Sequence, residues 1–185
     1  MAWIEIIDES EANGELAAAY ETVAGSRGKL SNIMRVHSLN PSAMLAHLDL
    51  YVTIMFKRSG ISRADRELIA AVVSKTNSCP YCVNHHEEAL RFYWKDDARV
   101  GAVVRNADYS SLDGRQVEML DYAQKLTASP EEVGADDVER LKAAGLTDRD
   151  VLDVNLITSY FNFVNRIALG LGVTFDASEM TGFKY

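Results

Sequence analysis

Two cysteines and a histidine stand close together in "NSCPYCVNHHEEAL", residues 77–90. On a helix, with about 100° per residue, Cys79, Cys82 and His86 share one face, because their spacings are three and four residues. His85 points away from that face. Two thiols one turn apart can close a disulfide with little backbone movement, and an imidazole can exchange a proton with them. The spacing therefore indicates a redox centre.

The position of Cys79 on this helix also affects its reactivity. Pro80 is typical of the first turn of a helix, which places Cys79 at the helix start. Unpaired backbone N–H groups there stabilise an anion, so a thiol at this position has a lowered pKa. One thiol would attack a substrate and the other would resolve the product. The helix-end argument favours Cys79 as the thiol with the lower pKa.

A carboxylate comes one helix before the cysteines. Glu67 lies in "RADRELIAAVVSK", twelve residues before Cys79. Two helices joined by a short turn pack as an antiparallel pair, which would return Glu67 to the level of His86. A carboxylate there orients the imidazole and accepts its proton. Glu67 and His86 are therefore predicted to form a proton relay for the two thiols.

Two other interpretations of the cysteine pair stay open. Structural zinc takes four ligands, whereas Cys79, Cys82 and His86 supply three and the chain has no second Cys-x-x-Cys. Free cysteine can also be a small apolar core residue. We expect no metal and no cofactor, since the chain carries no nucleotide, flavin or haem signature. The electrons would then come from an external dithiol reductant or redox protein.

The elements that position these residues are predicted to be helices, because apolar residues recur at helical intervals and no long stretch alternates with period two. The predicted helical stretches are residues 10–25, 41–60, 62–75, 79–94, 97–107, 113–130, 134–145 and 147–173. Ser62 with Asp65, and Thr147 with Asp150, fit helix-capping pairs. The first helix is expected to begin at Ser10 and end at Gly25.

These patterns predict a compact all-α bundle of about eight helices. The length of 185 residues favours one domain over residues 1–185, with a core at about 40–173 and both termini as extensions. The formal charge of −8 would repel phosphate backbones, so nucleic-acid binding is not expected. The N-terminus lacks signal-peptide features and no stretch is apolar enough to span a bilayer. We therefore expect a cytoplasmic protein without membrane contact.

Four residues together carry a resemblance to a known family. Glu67, Cys79, Cys82 and His86 match E-x(11)-C-x-x-C-x(3)-H, the signature of the alkylhydroperoxidase AhpD family. The chain is most similar to the peroxidase-related branch of the AhpD and carboxymuconolactone decarboxylase superfamily. The stretch "YFNFVNRIALGLGV" also resembles the late helix of that superfamily. The similarity extends from about the helix before Gly60 to Val173.

The resemblance implies an AhpD-like fold and a homo-oligomer, as a trimer, hexamer or dimer. It also implies a peroxidase-type oxidoreductase with an antioxidant role, which reduces a small hydroperoxide through a redox-active disulfide. In this family the second cysteine, here Cys82, attacks the peroxide and Cys79 resolves. This order is the reverse of the one that the helix-end argument favours. Tyr81 stands where some members have a histidine, and a phenol is a poor proton shuttle near neutral pH.

Two other functions were weighed against peroxide reduction. The first is a thiol redox switch without turnover. The second is decarboxylation of a lactone, which part of the superfamily performs without a cysteine pair, and the intact Cys79 and Cys82 argue against it. Outside this group, Asn162 and Asn165 are expected to form hydrogen bonds between helices or to border the site. His37 and His47 are expected to be structural or on the surface.

Overall fold

The computed structural model describes residues 2–175, 179, 182 and 183. Within these residues every regular element is helical and none is a β-strand, which confirms the all-α prediction. The α-helices of this described part are α1 (Gly14–Arg27), α2 (Asn32–Arg35), α3 (Pro41–Phe56), α4 (Arg63–Thr76), α5 (Pro80–Trp94), α6 (Asp97–Val100), α7 (Gly114–Ala128), α8 (Ala135–Ala143) and α9 (Asp148–Gly170). As for membrane insertion, the described part of the chain contains no helix with the length and apolarity that a crossing requires.

The described residues group into two compact units. One unit contains the described residues of Met1–Thr53 and Arg166–Tyr185, and the other is Ile54–Asn165. The second unit contains α4 to α8 and all four residues of the predicted site. The organisation of residues 1–185 as a single domain stays a prediction.

Helix α4 is enclosed by other elements of the second unit. It packs against α5 and α7, and every residue from Asp65 to Ser74 is buried. A helix buried on all sides must satisfy its polar groups internally. At its start the Ser62 hydroxyl accepts from the Asp65 N–H at 3.1 Å and donates to the Asp65 carboxylate at 2.7 Å. The predicted cap at Ser62 is confirmed.

A tight turn joins α4 to α5 and places Cys79. Asn77 follows the last residue of α4, and Ser78 then takes a left-handed conformation with φ of +54°. The Cys79 N–H donates to the Ser74 carbonyl oxygen at 2.9 Å, and Pro80 is the first residue of α5. Cys79 is therefore the N-cap residue of α5, as predicted. The turn folds α5 back onto α4 as a helical hairpin.

The stretch after α6 differs from the single helix predicted over residues 97–107. The α-helix ends at Val100, and Gly101–Arg105 forms a π-helical turn. A π-turn takes in extra residues per turn and so rotates the side chains that follow. At the end of the turn the Arg105 guanidinium donates to the Glu87 carboxylate of α5 at 2.7 Å. The π-helical turn and this ion pair with α5 therefore occur together at Arg105.

In the first unit, α1 differs from the prediction at both ends. Ser10 lies in a turn before the helix, and Asn13 is the N-cap residue, so the helix begins at Gly14. At the other end the helix runs through Gly25. It closes at Gly28, whose φ of +82° is the left-handed conformation that glycine adopts at low cost. A single glycine within a helix costs about 1 kcal/mol, which tertiary packing readily offsets.

The two histidines of the first unit contact each other. His47 Nδ1 lies 3.3 Å from His37 Nε2, and the rings meet edge to face with centroids 4.9 Å apart. Burial, with a smaller contribution from the charge of His37, lowers the pKa of His47 to about 4. Both rings are therefore neutral at physiological pH. The expectation of a structural role fits these contacts, although the sequence carried no sign of the pairing.

Candidate active site

The two cysteine sulfurs lie 2.7 Å apart at the start of α5, and both residues are free cysteines. Cys79 and Cys82 are 1% and 3% exposed, so water has almost no access to either sulfur. The N–H groups of Cys82 and Tyr81 donate to the Cys79 sulfur. These N–H donors favour negative charge on Cys79, and the two sulfurs are within hydrogen-bond distance of each other. A disulfide between them requires little movement.

This arrangement drives the two thiol pKa values apart. The S–H of Cys82 holds the pKa of Cys79 below its ordinary value, and the backbone N–H groups add to this effect against the opposing effect of burial. The pKa of Cys82 is raised by its hydrogen bond to Cys79, by burial and by the negative charge of Cys79. Of the two thiols, Cys79 is therefore the one that ionises more readily. This direction agrees with the helix-end argument.

Glu67 and His86 form a buried couple between α4 and α5. Glu67 Oε2 lies 2.7 Å from His86 Nδ1, and the carboxylate is 1% exposed. The other oxygen, Oε1, accepts from Arg63 at 2.9 Å. The His86 ring also packs edge-on against Phe161, with centroids 4.4 Å apart. With Nδ1–H donating to Glu67, the neutral ring carries its lone pair on Nε2, so Nε2 is the basic nitrogen.

His85 is set apart from this couple. It is half-buried and packs against the ring of Tyr81, with centroids 4.6 Å apart. Helix geometry places His86, and not His85, on the face of the thiols, and His86 is also the histidine that contacts the Glu67 carboxylate. Tyr81 is buried and directs its ring to His85. Tyr81 occupies the position that is a histidine in some family members, and its ring contacts His85.

A group of three asparagine side chains links the turn before α5 to α9, and one of them contacts the cysteine pair. The Asn77 side-chain amide donates to both Asn162 and Asn165, each at 2.9 Å. Asn165 is completely buried, donates to Ser74 at 3.1 Å and also hydrogen-bonds to the Cys82 thiol. The predicted hydrogen bonds between helices are present. The contact of Asn165 with Cys82 was not predicted, and the only signal for it was the presence of polar residues in an apolar helix.

A surface pocket of about 480 Å³ reaches Cys79. Its lining residues are Lys75, Ser78, Cys79, Pro80, Val83, Asn84, Glu87 and Arg105. Of the two cysteines, Cys79 is the one that contributes to this lining. The cysteine with the lowered pKa is therefore also the one that borders the pocket, and because it is 1% exposed, a molecule in the pocket reaches its sulfur only when the lining moves.

Comparison with known proteins agrees with the resemblance seen in the sequence. The sequence model of the carboxymuconolactone decarboxylase family matches residues 42–125, which include Glu67, both cysteines and His86. The crystal structure of an uncharacterized peroxidase-related protein from Silicibacter sp. TM1040 is 30% identical. The match covers 99% of this chain and 96% of that chain, with a TM-score of 0.87. The chain belongs to the carboxymuconolactone decarboxylase and AhpD-like family.

Two further proteins extend this family relationship. The crystal structure described as an alkylhydroperoxidase AhpD core, an uncharacterized peroxidase-related protein from Ralstonia eutropha JMP134, is 27% identical. Its match covers 97% of this chain and 94% of that chain, with a TM-score of 0.86. The uncharacterized protein YdfG of Bacillus subtilis (strain 168) is 22% identical over 143 residues, or 77% of this chain and 96% of its own length. The AhpD-like fold is thus confirmed.

In this chain the four predicted residues lie in two contacting pairs. The cysteines touch each other, and Glu67 touches His86. His86 follows Cys82 by four residues on α5, a spacing that makes them neighbours on the helix surface. The arrangement contains two thiols in contact and a buried carboxylate–imidazole couple one helical turn further along α5.

Proposed function

We propose that the protein is a thiol peroxidase, which reduces hydroperoxides with Cys79 and Cys82 and receives electrons from an external dithiol. The observation that carries this proposal is the asymmetry of the pair. Cys79 has a lowered pKa and lines a pocket, whereas Cys82 has a raised pKa and precedes His86 by one helical turn. The two thiols are thereby suited to different steps.

In the first step the Cys79 thiolate attacks the outer oxygen of the hydroperoxide. The O–O bond breaks, the hydroxyl is transferred to sulfur, and the leaving alkoxide takes up a proton to become an alcohol. Cys79 is oxidised to a sulfenic acid while the peroxide is reduced. The lowered pKa of Cys79 supports this role, because the thiolate is the nucleophile.

In the second step the Cys82 sulfur attacks the sulfur of the sulfenic acid. The S–S bond forms and the hydroxyl leaves as water, with the proton that Cys82 loses. Because Cys82 is buried, which disfavours its thiolate, the thiol needs a base to release this proton. We assign that role to His86 Nε2, with the Glu67 carboxylate stabilising the imidazolium.

In the third step an external dithiol restores the enzyme. One thiolate of the dithiol attacks the Cys79–Cys82 disulfide and releases one cysteine. The second thiol of the dithiol then attacks the mixed disulfide and releases the other cysteine. The dithiol leaves as its own disulfide. The balanced reaction converts one hydroperoxide and one dithiol into an alcohol, water and a disulfide.

The order proposed here differs from the one that the family resemblance implies. The resemblance assigns the attack to Cys82 and the resolving step to Cys79. We propose the reverse order, because Cys79 is the cysteine that lines the pocket and its pKa is the lowered one. The proximity of His86 to Cys82 suits a resolving thiol as well as an attacking one.

The proposed activity is tested with a small hydroperoxide and dithiothreitol. Many peroxide molecules should be consumed per chain, and the oxidised protein should weigh less by two hydrogens in mass spectrometry. A single oxidation that closes the disulfide but never turns over with dithiol would support the redox-switch function instead. Oxidation to sulfinic acid with no disulfide would contradict both.

We also propose that the protein forms a homo-oligomer. Within the second unit, Leu152, Leu156 and Phe163 of α9 are 55%, 38% and 49% exposed. Their spacing places them on one stripe of the helix, and a stripe of large apolar side chains favours a contact with another surface. A second copy of the chain would bury this stripe.

Light scattering should give an oligomer at micromolar concentration, and Leu156→Glu should shift the protein towards the monomer. A monomer in the wild type would contradict this proposal.

A further inference from the structure

The pocket at Cys79 contains more positive than negative charge, although the chain as a whole carries −8. Its charged lining residues are Lys75, Arg105 and Glu87. The Glu87 carboxylate is 1% exposed and belongs to the floor of the site. Lys75 and Arg105 are exposed and present their charges at the rim. The positive rim is therefore a local feature in an acidic protein.

Arg105 is held in place at this rim. Its Nε donates to Glu87 Oε1 at 2.9 Å and its Nη2 donates to Glu87 Oε2 at 2.7 Å, a two-point contact that fixes the guanidinium plane. Arg91 also contacts Glu87 Oε2, at 3.2 Å. The single carboxylate is thus shared by two guanidiniums. Arg91 also contacts the carboxylates of Glu88 at 3.2 Å and Asp97 at 3.4 Å, so Glu87 chiefly balances Arg105, and Lys75 is the lining cation that keeps positive charge at the rim.

Lys75 is brought to the same side of the pocket. Its Nζ donates to the carbonyl oxygen of Arg105 at 3.3 Å, so the ammonium lies beside the residue that carries the second cation. The ammonium adds a positive charge beside the Arg105–Glu87 pair, which favours an anion in the pocket. The π-helical turn that ends at Arg105 contributes to this placement. Backbone geometry of this rare kind often occurs at functional sites.

We infer that the pocket selects hydroperoxides that carry a carboxylate group. The carboxylate would pair with Lys75 and the exposed edge of Arg105 while the peroxide reaches the Cys79 sulfur. Pro80 and Val83 in the same lining provide apolar contact for the carbon chain between the two ends. The inference specifies the substrate class and rests on the proposed peroxidase function.

The first test compares cumene hydroperoxide with its para-carboxylate, which share the reacting group and differ in charge. At pH 7 and low salt, kcat/KM should favour the carboxylate by about tenfold, as expected for one charge-assisted contact. Lys75→Gln should reduce this ratio towards one, and Lys75→Glu should invert it. Lys57→Gln removes an exposed lysine outside the pocket and should leave the ratio unchanged. Since the readout is a ratio, a general loss of activity cancels.

The preference for the carboxylate-bearing hydroperoxide should be visible in the rate at which peroxide oxidises the protein. It should weaken as the salt concentration increases. A charge preference confined to the reduction of the disulfide by charged dithiols would assign the rim to the reductant and overturn the inference. The inferred substrate preference would also be overturned by a kcat/KM ratio near one in the wild type, or by a ratio that Lys75→Gln and Lys57→Gln change equally. Neither result would contradict the proposed peroxidase activity.

A second test does not require peroxidase activity. Iodoacetate and iodoacetamide alkylate the same thiol but differ in charge, and their rate ratio at Cys79 reports the anion preference of the pocket. The ratio should exceed that of a free neutral thiol by about tenfold and fall in Lys75→Gln. If peroxide turnover is absent but this ratio behaves as expected, the proposed function fails and the anion preference stands. If the ratio matches that of the free thiol, the anion preference fails.

Discussion

In the Cys79→Ser variant, peroxide consumption is expected to fall by more than about a thousandfold, because a serine hydroxyl is not ionised at neutral pH. Cys82→Ser should instead keep the first oxidation and stop after it, since no thiol remains to resolve the sulfenic acid. Dimedone should then label Cys79 in the Cys82→Ser protein. Stopped-flow measurement of peroxide loss, followed by peptide mapping of the label, checks both results.

The same pair of cysteines gives a pH dependence with a definite sign. The pKa of Cys79 is lowered, so its thiolate forms at a lower pH than that of an unperturbed cysteine, whose pKa is about 8.5. Alkylation of Cys79 near pH 7 should therefore be faster than that of an unperturbed cysteine. Cys82→Ala removes the S–H donor that is the largest cause of the shift. The pKa of Cys79 should then rise, and alkylation should slow at pH 7 but not above pH 9. Cys82→Ser keeps a hydroxyl donor and should shift the profile less.

The opposite result would restore the order that the family resemblance implies. Dimedone labelling of Cys82 in Cys79→Ser, together with no peroxide reaction in Cys82→Ser, would make Cys82 the attacking thiol. An alkylation profile of Cys79 that does not respond to Cys82→Ala would show that the hydrogen bond between the thiols does not set the pKa.

The helical hairpin could be predicted from the sequence because its signals are local. Ser62 caps α4, and Pro80 starts α5, so the turn between them is only a few residues long. Once two helices are joined by a short turn, a residue on the first must lie near one on the second. The contact between Glu67 and His86 follows from this geometry, and spacing on one helix also distinguishes His86 from His85.

The remainder of the site depends on contacts between residues far apart in the chain. Asn165 reaches Cys82 from α9, across more than eighty residues of sequence, and no local pattern specifies such a partner. The pairing of Arg105 with Glu87 depends on a π-helical turn, which periodicity of apolar residues does not reveal. For this reason the placement of the thiols beside each other could be predicted, whereas the charges that surround them could not.

His86→Gln tests the proton relay and is expected to slow disulfide closure by about two orders of magnitude, the usual contribution of a positioned acid–base group. Glutamine keeps a side-chain N–H for Glu67 but has no basic nitrogen to accept the proton of Cys82. The first oxidation of Cys79 should change little, so the sulfenic acid should accumulate after one equivalent of peroxide. Rapid quenching with dimedone and mass spectrometry measures its lifetime.

Variants of the neighbouring residues make this prediction specific. Raising the pH should recover part of the lost rate in His86→Gln, because hydroxide then deprotonates the raised-pKa thiol of Cys82. Glu67→Gln should slow closure less than His86→Gln, since the ring keeps its basic nitrogen and loses only the charge that stabilises the imidazolium. His85→Ala removes a ring that packs on Tyr81 and should leave closure unaffected. Equal slowing in His85→Ala and His86→Gln, or normal closure in His86→Gln, would exclude His86 as the base that serves Cys82.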